Sequence, residues 1–334
     1  MRTAEAVRNG HPDKVCDLVA DALLDAYLAR DPNARVAIEV QGGHGKVTAA
    51  GEVTTREPIS FEEIQGIIQH TYEDIGYQEK LRVETLIAEQ SGEIAAGVDT
   101  GGAGDSGIVS GYATSETPSL LPKELALARA LAQMIDDPSR RERFGPDGKT
   151  QVTLDDSGKV ASVVVSAQHL GDLEAARQEL RKIVAEVLGD DLREDAKVYL
   201  NPAGLFTIGG FTADTGVSGR KIVQDQYGPN IPVGGGSFSG KDGTKVDRSG
   251  AYFARYLAVR LVRDHGITSA FVQMAYAIGV PRPVWTRIET EPKESAPKLS
   301  DTQATVTEII ETLGLRKPIF TERTKRGHFG FDGL

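Results

Sequence analysis

The sequence predicts an α+β fold of three similar domains, each an antiparallel sheet with helices on one face, in a pseudo-threefold arrangement. Pairs of segments with alternating apolar residues, typical of β-hairpins, occur three times along the chain. A helical segment is predicted after each pair, and the pairs begin at nearly equal intervals, near residues 34, 151 and 269. Sheets that bury one apolar face against helices give this α+β architecture.

The order of elements is the same in the three units. The first unit is predicted as strand, strand, helix and strand at 34–40, 46–55, 60–76 and 83–90. The second repeats this order at 151–156, 159–168, 173–189 and 197–201. The third begins with strands at 269–280 and 283–290, followed by a helix beginning near Ser300 and the short apolar stretch "KPIF" at 317–320. We therefore expect domains at 1–100, 101–203 and 204–334.

Three further helices are predicted between these units. Segments 11–31, 122–137 and 246–266 carry apolar residues at helical spacing. Pro12 suits the first turn of the first of these helices. A helix that starts near Asp247 would direct free N–H groups, and the positive end of its dipole, at any anion held by the loop before it.

Composition limits the classes of function. The 334 residues are 40% hydrophobic and 26% charged, as in soluble globular proteins, and no run approaches the roughly 20 apolar residues of a membrane span. The N-terminal stretch has no apolar region of a secretory signal, and the single cysteine, Cys16, cannot form an internal disulfide. We therefore expect a cytoplasmic protein without membrane partners. The net charge of −10 argues against non-specific nucleic-acid binding, so an anionic ligand needs local cationic clusters.

One glycine-rich stretch, "GGGSFSGKDGTKVDRSG" at 234–250, has the composition of a phosphate-binding loop. Gly235, Gly240 and Lys241 satisfy the spacing of a P-loop, but Asp242 stands where that motif needs Ser or Thr. The preceding "QDQYGPNIPV" is polar and broken by prolines, so the buried strand of a P-loop is missing. A different phosphate site and a solvated surface loop both remain open for this stretch.

Three more stretches combine charge with glycine. "GHPDK" at 10–14 places an imidazole, a carboxylate and an ammonium at a helix start, and "GAGDSGIVSGYATSET" at 102–117 holds Asp105 between small residues. "DTGVSGRKIVQDQYG" at 214–228 offers Arg220 and Lys221, which suit phosphate contacts. Each stretch could instead be a helix cap or a solvated loop.

Taken together, these four motifs resemble the S-adenosylmethionine synthetases (methionine adenosyltransferases), in the order and at about the spacings of that family. The resemblance covers nearly the whole chain. It implies that methionine sulfur attacks C5′ of ATP and expels tripolyphosphate, which is then hydrolysed to pyrophosphate and phosphate. It also implies Mg²⁺ and K⁺ as cofactors, and a homodimer or homotetramer whose active sites are shared between subunits.

The resemblance also implies roles for individual residues. The catalytic residues would be His11, Lys149 and Asp105, with His11 contacting the triphosphate oxygen next to C5′. ATP would be bound by His11, Asp147, Lys149, Phe206, Asp214, Arg220, Lys221, Ser237 and Lys241. Methionine would be bound by Glu52, Gln90, Asp214 and Lys245. Asp13 and Asp247 would hold magnesium, and Glu39 with Ser237 would hold potassium.

The chain departs from the family pattern at three places. Leu205 stands where the family usually has an arginine before the phenylalanine, so one phosphate contact is missing. The segment before "GAGDSG" is shorter than usual, and the sequence stops where many relatives continue. Two alternatives stay open. The presence of His11, Lys149, Asp13 and Lys241 argues against a non-catalytic regulatory subunit, and that of Glu52, Asp214 and Lys245 argues against a plain tripolyphosphatase.

Overall fold

The computed structural model describes residues 1–89, 101–293, 302–331 and 333–334. Its strands are β1 (Arg2–Val7), β2 (Arg35–Gly43), β3 (Lys46–Thr54), β4 (Arg82–Ala88), β5 (Gly107–Thr114), β6 (Phe144–Leu154), β7 (Val160–His169), β8 (Leu192–Leu200), β9 (Gly216–Val217), β10 (Ser269–Tyr276) and β11 (Trp285–Glu291). Its α-helices are α1 (Pro12–Arg30), α2 (Phe61–Ile75), α3 (Lys123–Ile135), α4 (Leu173–Leu188), α5 (Gly210–Ala213), α6 (Ile222–Asp225), α7 (Val246–His265), α8 (Val306–Leu313) and α9 (Phe320–Lys325). The strands form three sheets, and the predicted α+β class is confirmed.

The three predicted hairpins are present. β2 pairs with β3, β6 with β7 and β10 with β11, each antiparallel. In the first two units, helices α2 and α4 return the chain to a parallel strand, so β4 lies beside β3 and β8 beside β7. The sheets are therefore mainly antiparallel, with one parallel pair in each of two sheets, because a crossover helix brings the chain back in the same direction.

The prediction of a closing strand at "KPIF" is wrong. Phe320 is the first residue of α9, and its amide donates to the Asp25 carboxylate of α1 at 3.0 Å. Pro318 lacks the N–H that a strand ladder needs, which disfavours a strand here. The predicted helix start near Ser300 lies outside the described residues, whereas α8 begins after Thr305, which forms a capping box with Glu308.

Strands β1, β5 and β9, which the sequence analysis did not predict, each join a sheet in another part of the chain. β1 lies beside β6, β5 beside β10 and β9 beside β2. The helices that follow them, α1, α3 and α7, pack against the sheets of β2, β6 and β10 respectively. The first unit thus donates a strand to the second, the second to the third and the third to the first.

This exchange and the packing of the helices place the core between sheets and helices. One apolar cluster joins the first and third sheets through α1, α2 and α7, and a second joins α3 and α4 to the β6–β7 hairpin. α1 is buried along almost its whole length, including three aspartates, Asp13, Asp17 and Asp21, that the loops of the third unit contact. Of the helices that the structure describes, none combines the length and the apolar character needed to cross a membrane.

Candidate active site

Two of the segments singled out by the sequence, 10–14 and 145–149, are pressed against each other. The amide of Gly10 donates to the Pro146 carbonyl at 3.0 Å, and the amide of Arg8 to the Gly148 carbonyl at 3.0 Å. A Cβ at position 10 would lie 2.5 Å from Pro146, so the approach requires glycine there. β6 begins at Phe144 rather than near 151, which places Lys149 on the strand, directly across from Val7 of β1.

His11 caps α1 and is held as a neutral imidazole. Its Nδ1 accepts a hydrogen bond from the amide of Asp13 at 3.2 Å, so its proton is assigned to Nε2. Burial, followed by the charge of Lys221, lowers the pKa of His11 to about 3, and Lys149 acts in the same direction. Asp13 and Asp214 oppose this shift without reversing it. The outcome is an uncharged N–H donor close to lysines.

Asp13 is fully buried beside this histidine, and its carboxylate is bound by two cationic side chains and one backbone amide. The Arg220 Nε lies 3.1 Å from its Oδ1, the Lys221 ammonium contacts Oδ2, and the amide of Val217 donates to Oδ1 at 3.0 Å. Burial alone would raise the pKa of Asp13, but the hydrogen bonds from Lys221 and Val217 outweigh burial and lower it. Asp13 is therefore ionised and forms, with its two cations, a charged cluster at the start of α1.

A second charged cluster lies at the start of α7, in the glycine-rich stretch. Lys241 Nζ is 2.8 Å from Oδ2 of Asp247, and Lys245 Nζ is 2.7 Å from Oδ1 of Asp242. α7 begins at Val246 without a side-chain cap, so its first N–H groups are free of such a partner. A Cβ at position 236 would lie 2.0 Å from the Asp247 carboxylate, so a glycine there keeps space around this carboxylate.

The segment that carries Asp105 belongs to this second cluster. The amide of Gly104 donates to the Thr244 carbonyl at 3.3 Å, and a Cβ at position 107 would lie 3.4 Å from Oδ1 of Asp247. Asp105 itself is exposed and accepts a hydrogen bond from the amide of Ser106. The structure thus brings the second and fourth charged motifs of the chain together.

Two residues assigned to ATP, Asp147 and Phe206, are held by contacts on either side of Gly209. Asp147 is buried and accepts a hydrogen bond from the amide of Gly210 at 2.9 Å, and burial raises its pKa. The backbone of Phe206 is fixed by His169, whose Nε2 accepts from the Phe206 amide at 3.2 Å and whose amide donates to the Phe206 carbonyl at 2.8 Å. The neighbouring Leu205 is 76% exposed.

The predicted methionine and potassium residues are spread over the sheet of β2 and β3. Glu52 on β3 is directly across from Ala37 of β2, and Glu39 is two residues along on the same exposed face. The Ser237 hydroxyl is buried without a hydrogen-bond partner in the described chain. Gln90, also assigned to methionine, lies outside the described residues. Asp214 is exposed just after α5.

The two charged clusters lie apart within one chain. Val217, which donates to Asp13, is paired with Gln41 of β2, whereas Lys241 is bridged to Ala37 of the same strand. Four residues of a strand span about 13 Å. The first cluster (Asp13, Arg220 and Lys221) and the second cluster (Lys241 and Asp247) are therefore connected to different points along β2, although their loops meet where a Cβ at position 219 would lie 2.6 Å from Ser237.

Sequence reasoning missed three positioning residues on one face of α1, Asp17, Asp21 and Asp25, which follow the predicted Asp13. Asp13, Asp17, Asp21 and Asp25 recur at every fourth position, and each accepts a hydrogen bond from a backbone amide of the third unit. Asp21 also forms a bidentate pair with Arg248, at 2.6 and 2.7 Å, and both side chains are fully buried. This spacing in the sequence could have indicated the row, because residues four apart share one face of a helix.

Within 1–89, 101–293, 302–331 and 333–334, no group of three or more His, Cys, Asp or Glu side chains could hold a metal by itself. Asp13 and Asp247 are instead single carboxylates, each beside a lysine. Magnesium is commonly bound through one or two carboxylates together with substrate phosphates and water. The donor set therefore fits magnesium that arrives with a polyphosphate.

Comparison with known proteins identifies relatives along the whole chain. Residues 1–94 match the family model of the S-adenosylmethionine synthetase N-terminal domain, 100–206 that of the central domain and 208–334 that of the C-terminal domain. S-adenosylmethionine synthases of Corynebacterium urealyticum and Thermus thermophilus are each 40% identical to the chain, over 99% of its length and 94% of theirs. A solved structure described as an unusual S-adenosylmethionine synthetase from Campylobacter jejuni superposes with a TM-score of 0.89 at 29% identity, covering 100% of this chain and 95% of that one.

Proposed function

The chain belongs to the S-adenosylmethionine synthetase family, and from that membership we propose how its own residues carry out the reaction of the family. The enzyme is a methionine adenosyltransferase: methionine sulfur attacks C5′ of ATP and releases tripolyphosphate, which is hydrolysed to pyrophosphate and phosphate. The proposal rests above all on one observation, the neutral His11 placed among Lys221, Lys149 and Asp13. The main electrostatic task is to stabilise the anion that develops on the leaving triphosphate.

In the proposed site, His11 donates its Nε2 hydrogen to the triphosphate oxygen next to C5′. A neutral donor suits this position, because it can bind an oxygen that gains charge as the C5′–O bond breaks. Lys149, Arg220 and Lys221 neutralise the phosphates around it, together with Lys241 from the second cluster. Asp105 is proposed to act near the reacting centre, since its segment contacts the loop of that second cluster.

Adenine and methionine are proposed to bind on either side of His11. The Phe206 ring would lie against adenine and Asp147 would face the nucleotide, since a Cβ at Gly209, three residues after Phe206, would lie 2.7 Å from the Asp147 side chain. Glu52 and Asp214 would face the ammonium of methionine and Lys245 its carboxylate. Gln90 is assigned to the same substrate, and the Ser237 backbone to ATP.

The family uses metal ions, and we propose that these are magnesium at Asp13 and Asp247 and potassium at Glu39 and Ser237. Magnesium would supply positive charge to the phosphate oxygens. Asp13 and Asp247 would hold the cation in place of their lysine partners, and Lys221 and Lys241 would then pair with phosphate oxygens. The partnerless Ser237 hydroxyl supports a cation ligand in that region.

The separation of the two clusters supports a site shared between two chains. The residues that connect the two clusters to β2, Val217 and Lys241, pair with positions about 13 Å apart along that strand, and one triphosphate would have to reach both clusters. A dimer in which the first cluster of one chain faces the second cluster of its partner solves this. Large exposed apolar side chains on the strands, among them Leu86, Ile108 and Trp285, supply surface for such an interface. We propose a homodimer or a pair of dimers.

We also propose that the enzyme works in the cytoplasm. Cys16 is the single cysteine of the sequence and is buried in α1, so this chain needs no oxidising compartment to fold.

The proposal is tested by incubating the purified chain with ATP, methionine and Mg²⁺ and measuring S-adenosylmethionine by mass. We expect the product with Mg²⁺ and none with excess chelator, and less product when a large organic cation replaces K⁺. Lys149→Met should lose about 10²-fold or more in rate, whereas Lys159→Met, in the exposed β6–β7 turn, should retain activity. No product from the unmodified chain would contradict the activity, whereas full activity in Lys149→Met would contradict the site assignment alone.

A further inference from the structure

A cavity of about 530 Å³ lies behind the catalytic loops. Its walls are the end of α2 and the turn after it, the last residues of α3 and the segment 141–146. Arg8, Asn9 and α9 complete it. None of the described residues assigned above to ATP, methionine or metal lines it. The volume is within the range of small-molecule sites, about 300–1,000 Å³.

The inner wall of the cavity is apolar and rigid. Tyr77, Phe144 and Ile135 line it and are at least 96% buried. The Tyr77 ring stacks on Tyr72 with centroids 4.6 Å apart, and its hydroxyl donates to the Gly10 carbonyl at 2.7 Å. A fixed aromatic wall suits a flat apolar body, because stacked and edge contacts need rings held in place.

The charged groups of the wall leave one cation available. Arg8 is paired with Asp136 at 2.7 Å, and Lys325 with Glu322 at 2.5 Å. The Arg141 guanidinium has no ion pair or hydrogen bond within the described parts of the chain, and it lies on the α3–β6 connection. The acidic Asp74 and Glu79 belong to the α2 side of the cavity. An arginine without a partner favours a carboxylate, sulfonate or phosphate group, which it can bind through two N–H donors.

We propose that this cavity is a second ligand site, separate from the ATP and methionine site, for a small organic anion with a flat apolar body. The apolar body lies against Tyr77 and Phe144, and the anionic group pairs with Arg141. The cavity is also connected to the catalytic loops. Pro146, in its wall, accepts the hydrogen bond of Gly10, and Gly10 precedes His11. A ligand here therefore contacts both loops from behind, and any coupling to ATP binding has to be reciprocal.

The test uses anilinonaphthalene sulfonate, a fluorescent probe with a flat apolar body and one anionic group, on the full chain in its native assembly. We expect saturable binding of one probe per chain that a saturating non-hydrolysable ATP analogue does not displace. Arg141→Gln should weaken binding about 10-fold or more, the typical loss of a charge-assisted hydrogen bond. Arg181→Gln, on the exposed face of α4, is the matched control and should bind as the unmodified chain does.

A second variant keeps the test independent of Arg141. Leu170 lines the cavity and is half exposed, so Leu170→Trp fills space without disturbing the core, and it should also weaken probe binding. Circular dichroism and the adenosyl-transfer rate serve as folding controls for both variants. Displacement of the probe by the ATP analogue, or equal binding by the unmodified chain, Arg141→Gln and Leu170→Trp, would overturn the proposal.

Discussion

A neutral histidine among lysines responds to the charge of its ligand. Without a triphosphate, Lys221 and Lys149 help to keep the pKa of His11 at about 3. A bound triphosphate would neutralise these lysines and add negative charge, and both changes favour a proton on His11. In the proposed site, a bound triphosphate would therefore raise the pKa of His11.

The two chemical steps should differ in their dependence on His11. His11→Ala should slow adenosyl transfer by about 10²–10⁴-fold, because that step releases charge on the oxygen nearest C5′. Hydrolysis of added tripolyphosphate cleaves a bond farther along and should fall much less. Asp13→Asn should lower both rates, because the magnesium that Asp13 is proposed to hold would serve several phosphate oxygens. Both rates are measured on both variants; equal losses in His11→Ala would mean that the histidine only positions the triphosphate.

The low pKa of His11 also predicts how stability changes with pH. The unfolded chain binds a proton at this residue near pH 6.5, whereas the folded chain binds it only near pH 3. In that window the unfolded state holds more protons, so acid lowers the free energy of unfolding. His11→Asn removes this contribution. When the pH is lowered from 8 to 5.5, the free energy of unfolding of the variant should therefore rise by about 1.4 kcal/mol relative to that of the unmodified chain. Urea unfolding at fixed protein concentration checks this; a constant difference between the two proteins at all pH values would contradict it.

The exposed Leu205 is a position where an arginine should be accepted. Its side chain is 76% exposed, so Leu205→Arg buries no charge and should change the free energy of unfolding by less than about 0.5 kcal/mol. Beside Phe206, the new guanidinium should tighten tripolyphosphate binding by up to about 10-fold. Calorimetric titration of Leu205→Arg against Leu205→Gln separates charge from the loss of leucine. Unfolding or inactivity of Leu205→Arg would show that the surroundings require leucine.

At the scale of elements, α1 holds the loops of the site through its row of aspartates. Asp21 binds Arg248 and the amide of Gly240, and Arg248 donates to the Lys241 carbonyl at 3.1 Å. The buried Asp21 carboxylate thus holds the backbone on both sides of Lys241. Asp21 lies two helical turns after Asp13 on α1. Such a pair is costly to break, because one partner is then left as an uncompensated buried charge.

We therefore expect Asp21→Asn to lower the free energy of unfolding by about 3–5 kcal/mol. Asp25→Asn is the matched control and should cost less. Asp25 accepts hydrogen bonds from Phe320 and Thr321 but has no cationic partner among the described residues. Combining Asp21→Asn with Arg248→Met should recover part of the loss. Urea unfolding ranks the three variants. If Asp25→Asn proved as costly as Asp21→Asn, the backbone hydrogen bonds rather than the ion pair would hold the loop.

The sequence predicts elements well where the pattern is local and poorly where it depends on distant partners. The hairpins and the helices α1, α2, α4 and α7 follow from periodicity within 10–20 residues. β9 has two residues, and it is a strand only because β2 lies beside it, almost 180 residues away in the sequence. The apolar stretch "KPIF" suits both a strand and the buried start of a helix. The structure is a helix start, because Asp25 of α1 accepts a hydrogen bond from the amide of Phe320.

At the scale of the whole molecule, the cyclic exchange of strands ties the three units together. Each sheet contains a strand from another unit, so predicted boundaries near 100 and 204 cut through sheets rather than between them. The domain boundaries near 100 and 204 stay a prediction from the repeated order of elements in the sequence. The motifs of the site could be recognised from their residues, but their division into two clusters could not, because it depends on which loops β2 and α1 bring together.

This division makes the assembly testable by mixing inactive variants. If each site combines the first cluster of one chain with the second cluster of its partner, a dimer of His11→Ala with Asp247→Asn contains one site with both changes and one intact site. Random pairing during co-expression gives equal numbers of mixed and unmixed dimers, so about a quarter of all sites should be intact, and about a quarter of the activity should return.

Co-expression of His11→Ala with Lys149→Met is the control, since both changes lie on the same side and every site keeps one of them. Adenosyl-transfer rates of the purified mixtures, compared with each variant alone, decide the matter. No recovery in the first pair, in dimers shown by mass to contain both chains, would mean that the two clusters of a single chain form the site.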